Sequence, residues 1–315
     1  MEYFCGDKEE YIKYLRQEKS WHGQYIDPDT TYGNIVSPFY DQLIYFLNTK
    51  ELDDKWRYSY CSEYTKNNES PVGIRVNDSS SSRPVLYLRS DQFGFSAPQN
   101  ENRAWNKKYP YAAYLKLGGE KEFVAECIWD VRTLGGCFLW PLVRTGNRWQ
   151  SMYNIYRGVM SYIEDRVDLT LYEIRSFYKL IKKYPDESNQ MISKRLSKEG
   201  YLLLKYKDNE EICEWLRHFN SFEGYVDYFC FRPFVDDQYR VIDITNSKVA
   251  YDENVDYNFS FDCSILSKES VDGYRMSKQE RIASINNKEK IEQILINVKN
   301  MTVRRTKYIE HYYKV

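Results

Sequence analysis

The chain has 315 residues, a formal net charge of -1, 42 % hydrophobic and 29 % charged residues. That length can bury a large core without a metal or disulfide staple, and the composition is that of a globular protein. No stretch approaches the ~18 apolar residues of a membrane-spanning helix, and seven cysteines without a CxxC pair do not form a disulfide framework.

The first residues, Met1 to Asp7, are acidic and lack an apolar run, so no signal peptide is expected and the reading is a cytoplasmic protein without membrane attachment. A first helical block is expected over 8–19 and a second over 38–52, where Pro38 follows Ser37 as N-cap. Residues 66–84 hold Asn67-Asn68-Glu69-Ser70-Pro71 and Asn77-Asp78-Ser79-Ser80-Ser81-Ser82, which predict a mobile loop. Strands are predicted over 84–88, 123–131 and 137–140.

From Tyr153 the pattern turns helical for most of 70 residues. Ile155, Tyr156, Val159, Met160 and Ile163 form one apolar stripe, and Thr170-Leu171-Tyr172-Glu173 reads as a capping box. The helix it opens would bury Leu171, Ile174, Tyr178 and Ile181. Asp208 is placed to cap a helix with Ile212, Trp215, Leu216 and Phe219 inward, residues 224–244 look extended, and Ser277-Lys278-Gln279-Glu280 leads into a C-terminal helix with Ile291, Ile294, Leu295 and Val298 inward. The expected class is α+β: a predominantly helical single domain with one small antiparallel or mixed sheet. Its divisions are an N-terminal helical segment 1–65, the loop 66–84 and a main unit 85–315 that forms one compact body with 1–65.

Charge is sorted most sharply between Val131 and Ile163, which hold Arg132, Arg144, Arg148 and Arg157, no lysine and no acid. The planar guanidinium grips carboxylate or phosphate two-pronged, so the stretch is a candidate anion site. On a helical wheel over 153–165, Asn154, Arg157, Ser161 and Asp165 run down the side opposite the apolar stripe. Arg144 and Arg148 flank Gly146-Asn147 beside Trp149, which suits phosphate with a stacked base or a surface hairpin whose arginines touch Asp165 and Asp168. Asp165 and Asp168 are the candidate catalytic carboxylates. They would hold Mg²⁺ against a phosphate, or else form a helix cap and an internal salt bridge. Leu134-Gly135-Gly136 lacks the pattern of a phosphate loop and reads as a bend or a point of close packing.

Three dispersed histidines without Cys/His pairing exclude a zinc site of familiar spacing. Residues 221–263 carry nine acids against three bases, a net of -6, and 267–315 carry eleven bases against six acids, a net of +5. These segments either neutralise each other or make the C-terminal one a nucleic-acid contact.

Leu134-Gly135-Gly136 with Trp140-Pro141, Asn154-Ile155-Tyr156-Arg157-Gly158, Asp165-Arg166-Val167-Asp168-Leu169-Thr170-Leu171 with Ile174-Arg175, and Phe222 to Phe229 resemble a bacterial family catalogued only as a domain of unknown function. Leu88-Arg89-Ser90-Asp91 is similar to an earlier element of that family. The likeness covers roughly residues 85–245 and departs from the family pattern at Tyr172, where the family has glutamate. It implies one ordered domain and brings no activity, substrate or cofactor. The function expected is a cytosolic effector, of phage-defence or toxin type, that binds a nucleotide or a nucleic-acid strand through Arg144, Arg148, Asn154, Arg157 and Ser161. Its alternative is a non-catalytic module that meets a protein partner, in which the Arg/Asp cluster is a structural ion network.

Overall fold

A computed structural model describes residues 44–45, 47–49, 56–61, 73–78, 84–92, 114–115, 117–131, 134–145, 148–151, 167–198, 210–242 and 288–313. Besides the helical residues 44–45, 47–49 and 114–115, five strands and six α-helices run among them in an α+β arrangement: β1 (Trp56–Cys61), β2 (Gly73–Asp78), β3 (Pro84–Gln92), α1 (Lys121–Val131), β4 (Cys137–Thr145), β5 (Arg148–Ser151), α2 (Val167–Lys183), α3 (Asn189–Lys198), α4 (Glu210–Arg217), α5 (Phe222–Tyr228) and α6 (Lys288–Tyr313). The expected helices over 8–19 and 153–165 and the Ser277–Glu280 capping box lie outside the described residues, whereas 44–45 and 47–49 are helical as the 38–52 prediction requires.

The strands form one sheet in the order β1-β2-β3-β4-β5, each pair antiparallel. Tyr58, Val76 and Leu86 stand level across β1, β2 and β3, and all three are buried. That row corrects the predicted loop 66–84: apolar Ile74 and Val76 alternate with polar neighbours there, and the buried face decides the structure over the serines and asparagines nearby. β4 is buried on both sides, since Phe138 and Trp140 point one way and Leu139 the other. Pro141 is tolerated in it because Pro141 pairs with Leu88 of β3 while the ladder to β5 begins only at Leu142.

Two further expectations are overturned. Residues 123–131, expected as a strand, belong to α1, because Val124, Cys127 and Val131 recur at helical spacing and all three are buried. Residues 224–244, expected as extended, open with α5, whose N-cap Ser221 accepts a hydrogen bond from the Gly224 amide at 3.1 Å. Phe222, Tyr225, Val226 and Phe229 then fall on one buried face, and a 3-10 turn at Arg232–Phe234 and a bridge between Val235 and Val241 follow. α4 and α6 are as expected: Ile212, Trp215, Leu216 and Phe219 are buried, as are Ile291, Ile294, Leu295 and Val298.

The high aromatic content has a structural outlet. Phe138 and Trp140 of β4 stack on Phe231 at centroid distances of 5.5 and 5.6 Å, and Phe231 stacks on Tyr225 at 6.0 Å. Trp215, Phe219 and Phe229 extend the cluster toward α4 through tilted and edge contacts. Offset and edge-to-face pairs of this kind add ~0.5–1.5 kcal/mol each beyond area burial. Buried tyrosines find buried backbone acceptors: Tyr228 donates to the Leu47 carbonyl at 3.0 Å and Tyr178 donates to the Leu216 carbonyl.

Candidate functional site

α2 begins at Val167, three residues before the expected capping box, because the apolar face Val167, Leu171, Ile174, Tyr178 starts there. Thr170 is therefore a buried residue inside the first turn and not the N-cap. Asp168 also sits in that turn, where the helix N-terminus favours a carboxylate, and its exposure is 0 %. Glu173 is buried on the following turn. Asp168, Thr170 and Glu173 are all engaged by other groups of the protein, as buried polar side chains must be. A carboxylate closed to solvent does not suit Mg²⁺, which keeps several waters.

Arg144 and Arg148 end the β4–β5 hairpin. In the ladder Arg144 pairs with Trp149 and Arg148 with Thr145. Asn154, Arg157, Ser161 and Asp165 lie outside the described residues. Of the seven candidate residues the structure thus places Arg144 and Arg148 on the hairpin and Asp168 in the core.

An arginine that the sequence reading passed over occupies the centre. Arg305 of α6 is 3 % exposed, and its guanidinium donates to the Gly135 carbonyl at 2.9 Å, the Phe229 carbonyl at 2.8 Å and the Cys230 carbonyl at 3.2 Å. It also lies over the rings of Phe138 and Phe231, at 4.6 and 4.8 Å from their centroids. The signal was present: Arg305 continues the stripe Ile291, Leu295, Val298, Thr302, Ile309 that faces inward. Gly135 and Gly136 make this docking possible. A Cβ on Gly135 would strike the Thr302 carbonyl and the Thr306 amide, and one on Gly136 would strike the Val131 carbonyl. The Gly135 amide donates to Thr306 Oγ1 at 3.0 Å, so the glycine pair is a site of close packing.

Two lysines of α6 are engaged within the fold. Lys299 pairs with Asp130 at 3.1 Å and Glu126 at 3.6 Å, while Lys288 donates to the Gly118 carbonyl at 3.1 Å and lies over Tyr114. Burial pushes the nearby Cys127 thiol up to about 12. Among the described residues no three His, Cys, Asp or Glu side chains group to hold a metal ion, and no helix is long and apolar enough to cross a membrane.

The fold and these contacts define an α+β protein with an aromatic core, in which a buried arginine ties the C-terminal helix to a glycine turn and to the end of α5. The chain belongs to the family of unknown function DUF6994, whose model matches residues 64–291. Both backbone segments that Arg305 grips lie inside the matched span, and Arg305 lies beyond it. No curated protein and no solved structure matches the chain.

Proposed function

We propose that this protein binds a phosphate-bearing ligand, a nucleotide or a nucleic-acid strand, through Arg144, Arg148, Asn154, Arg157 and Ser161. The observation that supports the reading most is the sorting of charge: four arginines and no lysine or acid between Val131 and Ile163, in a chain of net charge -1. The backbone register brings Arg144 and Arg148 to the end of the β4–β5 hairpin, and the ligand is proposed to lie at that end. Asp168, closed to solvent, is given the role of bracing the site, which leaves Asp165 as the carboxylate nearer the ligand. Such binding fits a cytosolic effector of defence or toxin type acting on nucleotides or RNA.

A second reading has one observation in its favour. The full burial and internal engagement of Asp168 is what a structural ion network requires, and in that case the surface serves a protein partner. Thermal-shift measurements with ATP, GTP, inorganic phosphate and a short single-stranded RNA separate the two. The ligand reading expects at least one to raise the melting temperature in a concentration-dependent way. No shift with any of them at millimolar concentration removes it.

A further inference from the structure

A sheet ends in two edge strands, and the outer N–H and C=O groups of an edge can pair with another chain. Here the edges are β1 and β5. β5 has four residues, a length that offers little to a partner. β1 has six, Trp-Arg-Tyr-Ser-Tyr-Cys, rich in strand-forming aromatics, with a single charge and no proline. It carries few of the features that usually keep an edge from pairing.

Asn48 covers the middle of that edge. The Tyr58 amide donates to Asn48 Oδ1 at 3.0 Å, and Asn48 Nδ2 donates to the Tyr58 carbonyl at 2.9 Å. A strand added to β1 would make the same two bonds. In an antiparallel ladder both backbone groups of a residue point to one side, and the side alternates along the strand. Tyr58, level with Val76 of β2, therefore turns its groups outward, and the backbone of Trp56 and Tyr60 does the same. Asn48 and Arg57 are exposed, so this part of the edge reaches the surface. Leu47 is buried and its carbonyl accepts from Tyr228 at 3.0 Å, which fixes the backbone from which Asn48 projects. Tyr45, at i-3 from Asn48, is 67 % exposed and adds apolar surface next to the edge.

We propose that Asn48 guards β1: its carboxamide takes the place of a neighbouring strand and keeps β1 from pairing antiparallel with β1 of a second copy of this chain. A second copy is the partner that fits, because a ladder centred on Tyr58 is self-complementary. In it Trp56 takes the register position opposite Tyr60 of the other copy and Arg57 the one opposite Ser59, so no like charges are opposed. The inference does not rest on the arginine site, since β1 and the β4–β5 hairpin are at opposite ends of the sheet.

The test is analytical ultracentrifugation of the full chain from about 5 to about 200 µM, with amide hydrogen exchange read at Tyr58. The wild type is expected to stay monomeric, with Tyr58 protection independent of concentration. Asn48→Ala should rise toward twice the monomer mass across that range. Its Tyr58 amide should exchange at least tenfold faster than the wild type's when dilute and regain protection when concentrated. Asn48→Asp still accepts from the Tyr58 amide and places a charge on the edge, so it should remain monomeric. Asn48→Ser, too short to span both groups, repeats the test at smaller amplitude should alanine disturb the fold. A monomeric Asn48→Ala at every concentration, a wild type that already dimerises, or an Asn48→Asp that associates as the alanine variant does would each overturn the proposal. So would association accompanied by loss of the native circular dichroism, which would make Asn48 a brace of the fold.

Discussion

Arg305 is the residue on which the packing converges. Replacing it with methionine keeps the volume and removes the donors that serve the Gly135, Phe229 and Cys230 carbonyls. Leaving these buried carbonyls without donors costs ~1–3 kcal/mol for each that finds no other partner, so Arg305→Met should lower the urea midpoint sharply. Arg305→Lys should recover less than half of the loss, because an ammonium cannot address three carbonyls in the fork geometry of guanidinium. A stability within 1 kcal/mol of wild type in Arg305→Met would show that the clamp is dispensable. Cys127 gives a pH signature. Below its ordinary value both states keep the proton; between that value and about 12 the unfolded chain releases it and the folded chain does not. Stability therefore falls as pH rises through that window, by at most ~1.4 kcal/mol per pH unit. Cys127→Ala should flatten the decline between pH 8.5 and 10, and an unchanged slope would contradict the assignment. At this scale the sequence does not single out the central arginine, because Arg305 is counted within a segment of net +5 read as a whole, either neutralised by 221–263 or contacting nucleic acid.

Among the elements, two local devices carry separate expectations. Ser221→Ala removes the side-chain cap of α5 and should cost ~1 kcal/mol, read as a shift in urea midpoint at constant slope. Gly135→Ala should cost more, ~1–3 kcal/mol, since the added methyl meets backbone atoms of α6 that cannot turn aside. Equal effects from the two substitutions would mean that α6 does not press on the glycine turn as described. Elements with an unbroken apolar stripe, α4 and α6, were legible from spacing alone. α1 and α5 were not: the aromatic and β-branched residues in 123–131 and 224–229 carry strand propensity, and burial of one helical face overrides it. β2 was hidden for the opposite reason, its few apolar residues being set among turn-forming ones that dominate the local composition.

Over the whole molecule, opposite charges divide their labour. Lys288, Lys299 and Arg305 of α6 are held by carbonyls, acids and rings, Lys182 and Lys183 at the end of α2 are exposed, and Arg144 and Arg148 sit at the end of the β4–β5 hairpin. The charge sorting on which the candidate site is proposed is read from sequence alone, because arginine without lysine or acid is a compositional signal that does not depend on the backbone path. The burial of Asp168 was not, because it depends on where α2 starts and on what covers that turn. The measurement that bears most directly on the central claim is calorimetric titration of ATP and of GTP into wild type and Arg157→Ala, with urea unfolding of both proteins. The expected result is wild-type binding of at least one, a tenfold or greater loss in Arg157→Ala, and stability unchanged within ~0.5 kcal/mol, the range of a surface substitution. Intact binding in the variant, or a stability loss of ~3 kcal/mol or more with no ligand bound by the wild type, would make the arginine stretch a brace of the fold and not a ligand site.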